Sequence, residues 1–406
     1  MAFIAPLKIG FVGLSSTGWA SRALAPALFQ PALKDKVDLV AVSTRSQESA
    51  ETSAAVYSEK VGHPVKAYSG STSTVANDPD VNFIAVSVIA REHKAALLPA
   101  IEAGKDFFIE WPVGSSSEET TTIAEAARLH NVRSLVGLQA RASRAITKVR
   151  EVLQSEKIGK VLSVQVVRLF LRCSLYALLM PLQTMFTGRE SLQWQPFVRV
   201  NSPQYHKKDA GASNIVSLSS PLNVYSGATP TSIGLGHFID AFTFTLGELK
   251  TVLASSTTQY PVVTFVDDAG APTGQTTPSE LYDHFSVIGE LESGASYNIL
   301  YRTGEKFLPG RKSFEWVIDG EEGVILLRSE HPWGSFIGLF DPEVLVNGEK
   351  IDFDGPGGAQ YSITETWKDF VDGKEGYATI EDAVRNHARL DAIEKSIAEG
   401  RLIKLA

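Results

Sequence analysis

A chain of 406 residues that is 44% hydrophobic and 21% charged has the balance of an ordinary globular protein, long enough for two or three domains or one large α/β domain with an appendage. Its 38 Lys and Arg against 46 Asp and Glu give a formal net charge of −8, which argues against a broad basic surface for direct nucleic-acid or anionic-membrane binding. The one cysteine, Cys173, excludes an intrachain disulfide, and no Cys/His cluster has zinc spacing, so no metal is expected.

The first residues lack the cationic and long apolar regions of a secretory signal. Residues 8–14 (KIGFVGL) read as a strand ending in glycine, followed by helical spacing over 18–29. Strands then follow at 37–43, 83–88, 106–109 and 134–138, alternating with helices at 49–60, 92–103 and 118–130. Short connections and continuous apolar strands predict an α/β Rossmann domain with a doubly wound parallel sheet and right-handed crossovers, over residues 1–143.

The texture changes in residues 144–406. A helix at 145–154 leads into a strand at 161–167. The apolar stretch 161–186 is interrupted by Arg168, Arg172 and Pro181, leaving less than the roughly 18–20 residues a membrane-spanning helix needs. Cys173 there reads as a buried small hydrophobe, and sparse cysteine suits a reducing compartment, cytosol or nucleus. Residues 169–231 show no clear periodicity. β-rich runs at 251–256, 260–266, 284–291, 296–301, 313–318 and 323–327 predict an α+β domain with an open, mainly antiparallel sheet, closed by helices at 361–371 and 380–398.

Gly13-Leu-Ser15-Ser16-Thr17-Gly18 lies between the first strand and first helix, where a tight glycine turn lets backbone N–H groups approach a pyrophosphate. Ser15 replaces the usual middle glycine, and the last glycine comes one residue late. The alternative is a plain strand–turn–helix, which the alternating context makes the weaker reading. At the end of the second strand, Ser43-Thr44-Arg45 stands where an NAD-specific site would carry a carboxylate. Hydroxyls and a guanidinium would accept a 2′-phosphate, so this position favours NADP(H) over NAD(H), with an ordinary solvated Arg45 as the alternative.

Together with the first strand, residues 85–93 (AVSVIAREH), Glu110-Trp111-Pro112, Gly236-His237-Phe238-Ile239-Asp240 and the closing run 381–400 resemble the glucose–fructose oxidoreductase / inositol dehydrogenase / MocA (Gfo/Idh/MocA) family. The resemblance spans most of the chain except 169–231. It implies a Rossmann domain, a second domain on an open sheet whose free face often forms a homodimer contact, and hydride transfer on a sugar-like hydroxyl or carbonyl compound. Such proteins usually carry a catalytic lysine and an aspartate at the positions of Trp111 and Ile233 here, so both are missing, while His237 and Asp240 remain. Tryptophan cannot do acid–base work, though it can stack on a nicotinamide or sugar face. Gly13…Gly18-Trp19-Ala20, Glu110-Trp111 and Gly236-His237-x-Ile239-Asp240 also look like the subgroup of the fungal galactose-pathway repressor, which binds dinucleotide and acts through a transcription factor.

His237 is the candidate proton-transfer residue, or else a helix-start histidine; Asp240 either orients it or caps the helix. Cofactor candidates beside the glycine loop are Trp19, Ser87, His93, Glu110, Trp111 and Gln139, with Arg141 as a substrate, phosphate or salt-bridge residue. Two functions therefore stand: an NAD(P)-dependent oxidoreductase, and a dinucleotide-sensing co-regulator without useful catalysis.

Overall fold

The computed structural model describes residues 6–16, 18–171, 197–199, 230–266, 272–279, 281–304 and 310–405. The chain divides into two compact units, residues 1–142 with 359–387 and residues 143–358 with 388–406.

In the first unit, β1 (Leu7–Val12), β2 (Val37–Thr44), β3 (Lys66–Ser69), β4 (Phe83–Val86), β5 (Asp106–Ile109) and β6 (Ser134–Val136) form one sheet in the order β3-β2-β1-β4-β5-β6. Every pairing is parallel. The order reverses between β1 and β4, the point at which open α/β sheets bind ligands. β4 is fully buried, as a strand covered on both faces must be. β3 has no counterpart in the sequence-based reading. It is an edge strand of four residues (KAYS), none of them buried, so it carries no apolar run.

The expected single helix over 18–29 is broken. Ala20–Leu24 is a π-helical turn, Ala25–Leu28 is α-helical, and Pro31–Leu33 is a 3₁₀ turn. Pro26 has no N–H to donate into the preceding turn, and Ala25 N–H reaches back to Ala20 instead. The helices Gln47–Val61 and Ser117–His130 start on Ser46 and Ser116, whose hydroxyls accept from Ser49 and Glu119 N–H.

Residues 359–387 belong by packing to the first unit, although the sequence pattern assigns them to the second domain. The helix Ala359–Val371 sets Trp367 5.3 Å from Phe83 and 5.2 Å from Phe108, and Phe370 5.5 Å from Phe83, ring centre to ring centre. Tertiary burial of this aromatic layer decides the assignment, which chain order does not.

In the second unit, nine strands run in the order β17-β16-β15-β14-β7-β13-β12-β9-β18. They are β7 (Val161–Leu171), β9 (Leu249–Thr257), β12 (His284–Leu291), β13 (Ser296–Gly304), β14 (Phe314–Gly320), β15 (Val324–Ser329), β16 (Glu343–Val346), β17 (Glu349–Lys350) and β18 (Ile403–Lys404). Only β7 with β13 is parallel; the other pairings are antiparallel, as expected. A second sheet joins β8 (Phe197–Arg199), β10 (Val262–Val266) and β11 (Pro272–Pro278). Alternate residues Val164, Val166, Trp316, Ile318, Tyr297 and Ile299 are buried. The helix Gly236–Leu246 covers them, with Phe238 and Phe242 at 5.4 and 5.7 Å from Trp316. The opposite parity, with Val167, Leu300, Val317, Leu326 and Leu345, is half-buried. Cys173, Trp194 and most of 169–231 lie outside the described residues. No helix among the described residues is long and apolar enough to cross a membrane.

Trp367 is the joint between the returning helix and the sheet. Trp367→Ala should destabilise the protein by about 3–5 kcal/mol, and Trp367→Phe by less, read as the shift in urea unfolding midpoint. Equal stability in wild type and Trp367→Ala would refute this role.

Candidate functional site

The glycine loop is built by close contact. Gly13 leaves β1 with φ +90°, and a Cβ there would lie 2.1 Å from the Ser87 carbonyl oxygen. No side chain fits, in conformation or in space. Gly13 N–H donates to the Ser43 carbonyl at 2.8 Å, and Ser87 N–H donates to the Val12 carbonyl at 2.9 Å. The ends of β1, β2 and β4 are thereby gathered at one point. The Ser53 hydroxyl, from the helix Gln47–Val61, donates to the Leu14 carbonyl at 2.5 Å and fixes the next residue. Gly18 has φ +114°, with no atom closer to its missing Cβ than Ser15 Oγ at 3.8 Å. Ser15 is half-buried and Ser16 exposed; Thr17 lies outside the described residues.

At the end of β2 the three candidate residues separate. Ser43 is buried with its carbonyl used by Gly13, and the Thr44 hydroxyl donates to the Ser46 carbonyl at 3.1 Å. Arg45 is exposed and makes no hydrogen bond or ion pair among the described residues. It alone of the three presents a side chain outward.

Glu110 follows β5 and is 7% exposed. Its Oε1 accepts from Trp19 Nε1 at 2.9 Å, and its Oε2 from the Trp111 N–H at 3.1 Å. Burial pushes its carboxyl up to about 7, against the lowering effect of those two N–H donors. The Trp111 indole is buried and packs against the His387 ring at 4.6 Å. Burial pushes His387 down to about 4, and its Nε2 has no hydrogen-bond partner among the described residues. His93 is 1% exposed, with its ring nitrogens 2.8 Å from the Pro112 carbonyl oxygen and 3.0 Å from that of Val88. The neutral ring has one N–H to donate to one of these carbonyls, according to its tautomer, and His93 lies wedged between the Pro112 segment and the exit of β4. Gln139 is buried in the 3₁₀ turn Gln139–Ala142. Arg141, in the same turn, forms a buried ion pair with Asp382 at 3.1 Å, the salt-bridge outcome of its two readings.

His237 and Asp240 sit in the second unit, in the first turn of the helix Gly236–Leu246. Asp240 is fully buried and His237 half-buried. Arg168, on β7, donates to the Gly234 carbonyl at 2.9 Å and to the Ser335 carbonyl at 2.8 Å, with its guanidinium 4.5 Å from the Phe238 ring centre. It thus holds the turn that leads into His237. Burial, then the Arg168 charge, pushes His237 down to about 4, so its imidazole is neutral at neutral pH.

Arg168 and His387 carry no functional weight in the sequence reading. For Arg168 the signal is a cation at an inward position of an otherwise apolar alternation (Val164, Val166, Arg168). For His387 it is the buried stripe it shares with Ala383 and Leu390.

Residues 7–138 match the model of the oxidoreductase family with NAD-binding Rossmann fold (Gfo/Idh/MocA), and residues 210–329 match that of the Gal80p C-terminal domain. The chain is 28% identical over 412 residues to dehydrogenase aclE of Aspergillus oryzae, covering 97% of each chain. It is 23% identical over 336 residues to the galactose/lactose metabolism regulatory protein GAL80 of Saccharomyces cerevisiae, covering 80% of this chain and 67% of that protein. In fold it is similar to a super-repressor mutant of Gal80p from Saccharomyces cerevisiae (TM-score 0.81, 19% identity, 98% of each chain). It is also similar to levoglucosan dehydrogenase in complex with NADH and L-sorbose (TM-score 0.71, 18% identity, 99% of this chain and 100% of that one).

The buried neutral His387 makes stability depend on pH with a definite sign. Its folded value of about 4 lies below its ordinary 6.5, so its contribution is present above 6.5 and is lost as pH falls towards 4. That interval corresponds to about 3 kcal/mol at most. His387→Phe should make the acid limb of the thermal-stability profile shallower between these values; an unchanged limb would show that the ring charges without cost.

Proposed function

We propose that the protein is an NAD(P)-dependent oxidoreductase acting on a small hydroxyl or carbonyl compound of sugar-like class. The observation that carries the reading is the Gly13 loop, closed on Ser43 and Ser87 at the carboxyl edge of the sheet with Gly18 and Ser16 open beyond it. The residues fit a dinucleotide: a glycine turn for the pyrophosphate, Trp19 and Glu110 beside it, and exposed Arg45 at the position of the adenosine ribose. A bound nicotinamide supplies or takes a hydride. The chain's part is to hold that group and to move the accompanying proton, for which His237, neutral and held by the turn that Arg168 ties down, is the candidate acceptor with Asp240 one turn along. Similarity to a dehydrogenase over the whole length supports this reading.

A specific observation favours the second reading, a dinucleotide-sensing co-regulator that acts through a protein partner such as a transcription factor. Trp111 fills the place of the proton-transfer lysine and is packed on His387, and His237 at about 4 is a weak base. Similarity to GAL80 supports it.

Screening sugars, polyols and aldehydes with both cofactors separates the two. An oxidoreductase should show turnover that falls roughly 10²–10⁴-fold in His237→Ala. Cofactor binding without turnover, together with a captured partner whose binding responds to dinucleotide, would instead establish the regulator.

Cofactor preference rests on Arg45. With no carboxylate at the end of β2, one charge-assisted bond to a 2′-phosphate, about 1.5–3 kcal/mol, should make NADPH bind roughly tenfold or more tightly than NADH. In a fluorescence titration that advantage should collapse in Arg45→Ala. Tighter NADH binding by the wild type would contradict the assignment.

A further inference from the structure

We propose that Glu110 is a positioning residue for the dinucleotide loop: its carboxylate holds the Trp19 indole, and the loop is set for tight binding only while that carboxylate is ionised. The proposal rests on the dinucleotide reading of residues 13–18.

Trp19 directly follows Gly18, so whatever fixes its ring fixes the end of the loop. The partner is not a surface group. Glu110 is buried, and its two oxygens are divided between Trp19 Nε1 at 2.9 Å and the Trp111 N–H at 3.1 Å. Gly137, after β6, makes room for this carboxyl, since a Cβ there would lie 2.4 Å from Oε2. The Trp19 bond joins a loop residue distant by 91 positions in sequence to the exit of β5.

The groups around Glu110 leave its charge to be set by burial and those two N–H donors. The titratable rings that touch the 110–112 segment from other elements are His387, against the Trp111 indole, and His93, beside the Pro112 carbonyl. Burial lowers both, so neither is a standing cation at neutral pH. Arg141 is committed to Asp382. Burial brings Glu110 up to about 7, so its charge changes within the physiological range. Above that pH the indole N–H meets a carboxylate in a charge-assisted bond; below it, a neutral carboxyl that accepts more weakly. Dinucleotide affinity should therefore fall as pH drops through 7.

The test uses NADH, which has no 2′-phosphate to titrate, and reads nicotinamide emission at about pH 6 and about pH 8.5. The wild type should bind about fivefold to tenfold more weakly at the lower pH. Glu110→Gln, which keeps a neutral acceptor, should bind at both pH values as the wild type does at about pH 6. Trp19→Phe, which removes the indole N–H, should be equally flat. By NMR the Trp19 indole N–H resonance should move with pH around 7 in the wild type and stay fixed in Glu110→Gln. Wild type that binds neither NADH nor NADPH at either pH overturns the dinucleotide reading and the latch together. Equal wild-type affinity at both pH values, pH dependence that survives in Glu110→Gln, or an indole resonance that ignores pH overturns the latch alone.

Discussion

The contact of the Gly13 backbone with the Ser87 carbonyl is the constraint on which the candidate site depends. A missing Cβ lets β1 and β4 end side by side, and the Gly13 N–H then reaches the end of β2. The point where the sheet order reverses becomes a narrow ledge rather than a bulky turn. Arg45 after β2, Ser87 and His93 after β4, and Glu110 after β5 all follow the carboxyl ends of their strands. Ser15 in place of a middle glycine is tolerated because the close approach is made at Gly13; the space at Gly18 is open.

Around this ledge the packing is aromatic. Trp111 is buried against His387, and Trp19 reaches across to Glu110. The ionisable groups there are a carboxyl raised towards neutrality and histidines driven neutral by burial. The chain is similar both to a dehydrogenase and to a regulatory protein.

Much of the fold was legible because its signals are local. Continuous apolar runs such as FIAV at β4 and the Ser46 and Ser116 caps mark strands and helix starts without reference to the rest of the chain. β3 was not legible, because an edge strand of half-exposed residues has no apolar signature. The broken first helix could have been anticipated from Pro26 and Pro31. The return of Trp367 and Phe370 to the first sheet could not, since only tertiary burial reveals which core an amphipathic helix joins. Of the site, the glycines were readable from residue type and context. The fates of His93, Arg141 and Thr44 were not: each is set by a backbone or ion-pair partner that the folded chain supplies.

The most direct measurement is a calorimetric titration of NADH and NADPH into the wild type and into Gly13→Ala, with thermal unfolding followed in parallel. Wild-type binding of at least one cofactor, reduced roughly a hundredfold or more in a Gly13→Ala protein that remains folded, is the expected result. No binding heat with either cofactor in the wild type, or undiminished affinity in Gly13→Ala, would contradict the assignment of this edge as a dinucleotide site.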